Sequence, residues 1–290
     1  MNKVGAWLEA FFFKPELVAA AVAWRVALSM WTLLFFLPRL PYLEELYTLL
    51  AVHTPHPLLR LFGPPSLPLW GVWLLMLSTG CCLVLFALGR WPRLMHLLLL
   101  PQLGYLFGFD LSLLRGYGEL AFYQWLILWF LPYDGLRAAA GVVKQAPRWG
   151  LQLARLQFSS VYAFTLGAKL IGGAGWLDGK TLYYTLKGED YGRFLLSSIW
   201  LPTLGQAQVL GLLTLLGEAF VAVGLWFERT RRLALATCVL LHLGMALMLR
   251  VSVLFPLLMW AHLLLFVSES EWRRLLNAGG QRTEQDRSSS

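Results

Sequence analysis

The chain has 290 residues, of which 58% are hydrophobic and 14% are charged, and its formal net charge is +8. A soluble domain of this length carries nearly twice that share of charged residues, so the composition indicates a polytopic membrane protein. The basic residues flank apolar runs, a pattern that is typical of topology signals and argues against a nucleic-acid partner. The three cysteines (Cys81, Cys82 and Cys238) have no metal-binding or redox spacing and are interpreted as small core residues.

The apolar runs predict the fold class. A helix needs about 20 apolar residues to cross a bilayer, and on that criterion the sequence predicts an all-α bundle of about eight transmembrane helices. The predicted spans are 17–37, 67–88, 94–110, 116–132, 151–171, 207–227, 233–249 and 251–267. The pairs within 94–132 and 233–267 are typical of tight helical hairpins. Residues 1–16 are expected to form an interfacial segment, 17–270 the membrane domain, and 271–290 a disordered cytoplasmic tail.

The distribution of lysine and arginine predicts the orientation. With eight spans, both termini lie on one side of the membrane, and the segments on that side carry about twice as many basic residues as the opposite segments. Short loops that are rich in lysine and arginine stay in the cytoplasm. We therefore expect both termini in the cytoplasm and the 172–206 loop outside.

The span at 151–171 carries a polar stripe. Arg155, Tyr162 and Lys169 are spaced seven residues apart, which is close to two helical turns, so their side chains share one face. The helix then meets a glycine-rich stretch at 172–175. Ionisable groups inside a spanning helix usually face the protein interior or a water-filled cavity, so this helix is the first place to expect a functional site.

Lys169 is the strongest candidate for chemistry. It either extends to the outer interface or lies partly desolvated at the floor of an outward-facing cavity, where a neutral amine can act as a base. Arg155 is expected to anchor the inner interface or to bind a lipid phosphate, and Tyr162 to pack and make one hydrogen bond.

The residues after this helix have two interpretations. Trp176, Asp178 and Tyr184 either line the mouth of a pocket or belong to an interfacial aromatic belt.

Three further ionisable residues fall near the middle of their spans: Arg25, Glu218 and His242. A charge at that depth cannot easily reach water, so we expect Arg25 and Glu218 to pair across helices with His242 close by. The pair either fixes helix packing or contributes to a ligand site or a proton path.

The sequence predicts no metal site. His53 and His56 are separated by Pro55 and have no third ligand nearby. Haem ligation by histidines such as His242 and His262 is disfavoured. The sequence also contains no nucleophile elbow, phosphate-binding loop or nucleotide fingerprint.

Several of these residues occur in the order found in a known family. The following run resembles the central motif of the HTTM domain: Arg155-Leu-Gln157, Tyr162, Ala168-Lys169-Leu170, Trp176-Leu-Asp-Gly179 and Tyr184. The HTTM domain is the transmembrane core shared by vitamin K-dependent γ-carboxylases and many bacterial proteins. Three further segments resemble the opening segment, the acidic helix and the closing hairpin of the family: Phe11-Phe-Phe-Lys-Pro15 with Arg25, Leu213-Thr-Leu-Leu-Gly-Glu218, and Leu240-Leu-His242-Leu followed by Phe255 and Phe266. The resemblance covers roughly residues 10–270.

The resemblance implies a stand-alone bacterial form in the inner or plasma membrane. In the vitamin K-dependent enzymes, a lysine followed by leucine, shortly before a Trp-x-x-Gly, is the proposed base that deprotonates a reduced quinone at the membrane surface. Lys169 matches that lysine by position. The implied cofactor is a quinone such as reduced vitamin K. If the chain is an enzyme, its implied activity is γ-carboxylase-like, with Arg25, Glu218 and His242 shaping the cavity.

Two departures from the family leave the activity open. The eukaryotic enzymes have a large C-terminal region that holds the protein substrate, whereas this chain ends soon after its last predicted span. They also have a catalytic histidine before the central motif, whereas the stretch 115–123 contains none. The alternative is a non-enzymatic membrane partner in the assembly or maturation of a secreted peptide. Besides such a protein, the expected partner is membrane lipid.

Overall fold

The structure is a computed structural model, and it describes residues 3–48, 66–109, 117–132, 145–192 and 195–277. These residues are mostly helical, as the composition predicted. The sequence predicted one bundle, but the chain divides into two compact units. The first consists of the residues up to Ala154 together with those from Val267 onward, and the second is Arg155–Phe266.

The first unit is built on helices in chain order. They are α1 (Lys3–Phe13), α2 (Ala19–Phe36), α3 (Leu43–Tyr47), α4 (Leu69–Ala87), α5 (Pro92–Gly108), α6 (Tyr117–Leu128) and, near the end of the chain, α13 (Glu269–Asn277), with a 3-10 turn at Leu37–Tyr42. The buried face of α2 carries Ala20, Trp24, Leu28, Trp31 and Phe35 at helical spacing. This helix packs against α4, α4 against α5, and α5 against α6, so the first predicted hairpin is confirmed.

Two short strands modify the all-α expectation. β1 (Pro15–Leu17) pairs antiparallel with β2 (Gln145–Pro147), with Glu16 opposite Ala146. A proline lacks the N–H that a continuing helix requires, so Pro15 ends the helical stretch that begins the chain. Arg148 fixes the strands to α1 by donating to the carbonyl oxygens of Phe11 at 3.0 Å and Ala10 at 2.9 Å.

The second unit contains the residues of α7 (Trp149–Ile171) from Arg155 onward and five further helices. These are α8 (Lys180–Lys187), α9 (Leu195–Ile199), α10 (Leu204–Gly224), α11 (Glu228–Met248) and α12 (Leu254–Leu263), with 3-10 turns at Ala174–Trp176 and Leu264–Phe266. A capping box starts α10: the Thr203 hydroxyl accepts from the Gln206 amide, and the Gln206 side chain accepts from the Thr203 amide. α11 packs against α12, which confirms the second predicted hairpin.

Glycines allow α10 and α11 to approach closely. A Cβ on Gly217 would lie 3.1 Å from a methyl group of Leu241, and one on Gly224 would lie 3.2 Å from the Cβ of Ala234. Small residues at such contacts are typical of helix pairs in membranes, where van der Waals packing replaces the hydrophobic effect. The backbone of α10 is therefore fixed against its neighbour near Glu218.

Four helical stretches of the described residues are long and apolar enough to cross a membrane: Ala19–Tyr47, Leu69–Ala87, Leu204–Gly224 and Glu228–Met248. A fifth results if Leu254–Phe266 and Glu269–Asn277 are counted together. A helix occurs in each of the eight predicted spans, but eight spans are not confirmed. The helices α5 and α6 have only 17 and 12 residues, and α7 is long but too polar. The orientation of the chain therefore stays a prediction.

Some predictions concern residues that the structure treats differently. Cys82 and Cys238 are buried, but Cys81 is exposed, so the prediction that all three are core residues is wrong for Cys81. His53, His56 and residues 278–290 of the predicted tail lie outside the described residues.

Candidate functional site

Lys169 and Glu218 form an ion pair in the second unit. The ammonium group of Lys169, on the last turn of α7, donates to Oε1 of Glu218 on α10. The two side chains are only 18% and 10% exposed, so the pair is largely withdrawn from solvent. The other carboxylate oxygen, Oε2, is buried and has no hydrogen-bond partner among the described residues. The pair therefore joins two helices and retains one unused acceptor.

Trp176 covers one side of the ammonium group. The Nζ atom of Lys169 lies 4.6 Å from the centroid of the indole ring, a distance at which the ring quadrupole attracts a cation. The ring comes from the 3-10 turn Ala174–Trp176, which follows the glycines at the end of α7. Lys169 therefore has a carboxylate and an aromatic face as neighbours.

A cleft of about 530 Å³ opens beside the ion pair. Its described lining residues are Thr165, Ala168, Lys169, Gly172, Gly173, Gly175, Trp176 and Thr181. Three of them are glycines, so much of the rim is bare backbone. Gly173 has a φ of +118°, and a Cβ there would meet no atom within 4 Å. The cleft thus combines one ammonium group, one indole ring and two threonine hydroxyls.

A second cleft lies in the first unit and differs in chemistry. It has about 540 Å³ and is lined almost entirely by apolar side chains of α2 and α4 together with the 3-10 turn that follows α2. No ionisable group other than the Cys81 thiol is among its described lining residues, so the proton chemistry expected from the sequence has no support there.

The partner of Glu218 differs from the sequence-based expectation. Glu218 was expected to pair with Arg25, but its ion pair is formed with Lys169 inside the second unit. Arg25 is fully buried in the first unit, where it donates to the carbonyl oxygen of Ala87 at 3.3 Å and lies 5.6 Å from the ring centroid of Phe86. A carbonyl and an aromatic face thus stabilise this guanidinium group.

A buried polar cluster lies on the same helix face as Lys169. The hydroxyl of Tyr162 is 2.8 Å from Nε2 of His242 and 3.0 Å from Sγ of Cys238. The opposite nitrogen of His242, Nδ1, is buried without a hydrogen-bond partner among the described residues. Tyr162 therefore makes the expected hydrogen bond, and Cys238 is one of its partners.

Tyr162→Phe is expected to lower the free energy of unfolding by about 1–3 kcal/mol, because the substitution leaves Nε2 of His242 buried without its partner. The packing of the ring against Phe158, at 5.3 Å between centroids, would remain. The melting temperature in detergent measures the effect. Tyr184→Phe is the matched control, since Tyr184 is 66% exposed, and equal effects of the two substitutions would contradict the structural role of the cluster.

Residues 128–272, half of the chain, match the family model of the HTTM domain. The chain belongs to the HTTM family. The match is narrower than the range of 10–270 expected from the sequence, and it excludes Arg25. Comparisons with curated proteins and with solved structures gave no match. Together with the apolar helices, the HTTM domain indicates an integral membrane protein.

Other expected site residues in the HTTM region lie away from the cleft. Arg155 donates to the carbonyl oxygen of Leu265 at 2.7 Å and lies near the ring of Phe266, so it binds protein groups at the end of the second unit. Tyr184 is exposed on α8 and is not among the described residues that line the cleft.

Asp178 stabilises the turn before α8. Its carboxylate accepts from the backbone N–H of Lys180 at 3.0 Å and pairs with the ammonium group of the same residue at 2.8 Å. These hydrogen bonds lower the pKa of Asp178. Asp178 therefore helps to fix the segment after Trp176 and does not line the cleft.

Sequence reasoning missed the threonines and the partner of Lys169. Thr165 lies four residues before Lys169, and this helical spacing is a usable signal for its place in the cleft. Thr181 follows the turn, and no pattern in the sequence indicates that its side chain points back to Gly175. Among the described residues of the HTTM protein, no group of three or more histidine, cysteine, aspartate or glutamate side chains comes together as a metal site requires.

Proposed function

We propose that this HTTM protein binds a lipophilic quinol in the cleft beside Lys169 and removes a proton from it. The observation that carries this proposal is a largely buried lysine–carboxylate pair at the wall of a cleft with an indole face. The cleft has a volume typical of small-molecule sites. A quinol suits it because one molecule supplies an apolar ring and an acidic hydroxyl.

The ion pair restricts how Lys169 can act. As an ammonium group, Lys169 cannot accept a proton until it passes one to Glu218. Transfer of that proton from Nζ to Oε1 gives a neutral amine and a carboxylic acid. The amine can then take the proton of the quinol hydroxyl, which leaves a quinolate beside an ammonium group. The net result is transfer of the quinol proton to Glu218 through Lys169.

The same ion pair also favours a second function. A lysine that already has a carboxylate partner can serve only to hold α7 against α10. The protein would then be a non-enzymatic membrane partner in the assembly or maturation of a secreted peptide, and its buried charges would be structural.

Lys169→Met is expected to weaken the binding of menadiol, a reduced naphthoquinone, by about tenfold or more, since a hydrogen bond to a charged group contributes about 1.5–3 kcal/mol. The measurement is anaerobic titration of the purified protein in nanodiscs. Lys180→Met is the control, because Lys180 is paired with Asp178 and is not among the described residues that line the cleft. If the wild type and Lys169→Met bind equally, or the wild type does not bind, the quinol site is wrong and the partner function is favoured.

A further inference from the structure

We propose that Gly211 and Gln208 of α10 are positioning residues that hold Trp176 over the ammonium group of Lys169. Neither residue lines the cleft or touches the ion pair. The inference concerns the site on which the proposed function rests, but it depends only on the contacts within that site.

Two neighbouring carbonyl groups of the Trp176 segment are held by α10. The carbonyl oxygen of Trp176 lies so close to Gly211 that a Cβ there would be only 2.9 Å away. The carbonyl oxygen of the next residue, Leu177, accepts a hydrogen bond from the Gln208 side chain at 3.1 Å. Gln208 and Gly211 are three residues apart, so they are neighbours on one face of the helix. The helix therefore fixes the turn by its backbone.

The same face of α10 also presents the carboxylate. Gly211 and Glu218 are seven residues apart, which places them on one stripe of the helix. The carboxylate of Glu218 and the indole ring of Trp176 both contact the ammonium group of Lys169. One helix therefore sets the positions of both neighbours of the amine, one directly and the other through the clamped turn.

A methyl group at Gly211 would disturb this arrangement in a specific way. The atom that it meets is a backbone oxygen, which cannot rotate aside as the end of a side chain can. The turn would have to move away from α10, and the indole ring would move with it. In contrast, a Cβ on Gly205 of the same helix would meet no atom within 4 Å. Gly205→Ala is thus a matched substitution without the contact.

The test uses the full chain labelled with 5-fluorotryptophan in detergent. Trp176 contributes one of 14 tryptophan resonances in the ¹⁹F spectrum and is assigned by its loss in Trp176→Phe. We expect Gly211→Ala to shift this resonance and to increase the acylation rate of Lys169 severalfold, because one face of the amine is uncovered. The acylation rate is read from the Lys169 peptide by mass spectrometry. Gly205→Ala is expected to change neither quantity.

Gln208→Ala is a second, milder variant that removes only the hydrogen bond to Leu177. It is expected to shift the same resonance by less, and it decides the question if Gly211→Ala does not fold. An unmoved Trp176 resonance in the folded variants, or an equal shift in Gly205→Ala, would overturn the positioning role. Neither measurement involves a quinol, so a failure of quinol binding would leave this inference standing, and the reverse also holds.

Discussion

Glu218→Gln is expected to destabilise the protein by about 3 kcal/mol, because it leaves the ammonium group of Lys169 largely buried without a charged partner. The two side chains are 18% and 10% exposed, which places the effect at the lower end of the range for buried pairs. The unused oxygen of Glu218 does not reduce this effect, since it has no partner to lose. The melting temperature and the midpoint of denaturation in detergent measure the change.

The control for this prediction is an ion pair in the same region of the chain. Lys180 and Asp178 pair at 2.8 Å, but their side chains are 60% and 35% exposed, and exposed pairs contribute about 0–1 kcal/mol. Lys180→Met should therefore have little effect. The double variant Lys169→Met with Glu218→Met should be less destabilised than Glu218→Gln, because it leaves no buried charge. Similar effects of Glu218→Gln and Lys180→Met would contradict the burial of the pair.

The helices were largely predictable, because their apolar runs are long and continuous. Each predicted span contains a helix, and both predicted hairpins pack as expected. The number of spans was not predictable in the same way. A run such as 116–132 was counted by composition alone, but its helix is only 12 residues long, which is too short to cross a bilayer. Composition indicates where a helix forms, whereas local hydrogen bonding decides where it ends.

The site was predictable to the extent that it lies on one helix. The spacing of Tyr162 and Lys169 correctly placed both side chains on one face of α7, because that spacing depends only on helical geometry. The partner of Lys169 could not be predicted, since it depends on the stagger between α7 and α10. That stagger depends on contacts such as those of Gly211 with the Trp176 carbonyl and Gly217 with Leu241. In the sequence, these glycines look like any others in an apolar helix.

Gly179→Ala is expected to be among the most destabilising substitutions in the second unit, because two costs coincide at this position. Gly179 has a φ of +78°, a left-handed conformation that costs about 1–2 kcal/mol for a residue with a Cβ. A Cβ there would also lie 2.3 Å from the backbone nitrogen of Gln208, and such overlap costs typically about 1–3 kcal/mol or more. A loss of about 3 kcal/mol in the free energy of unfolding is therefore expected, measured by denaturation in detergent.

Two other glycines separate the two costs. Gly173 has a φ of +118° but open space around a Cβ, so Gly173→Ala tests the conformational cost alone. Gly205 is helical and equally open, so Gly205→Ala should be neutral or stabilising by up to about 1 kcal/mol. If Gly179→Ala were no worse than Gly173→Ala, the contact with Gln208 would not be tight. The turn that carries Trp176 would then be held at only one end, by Gly211, and the indole ring would be free to leave the ammonium group of Lys169.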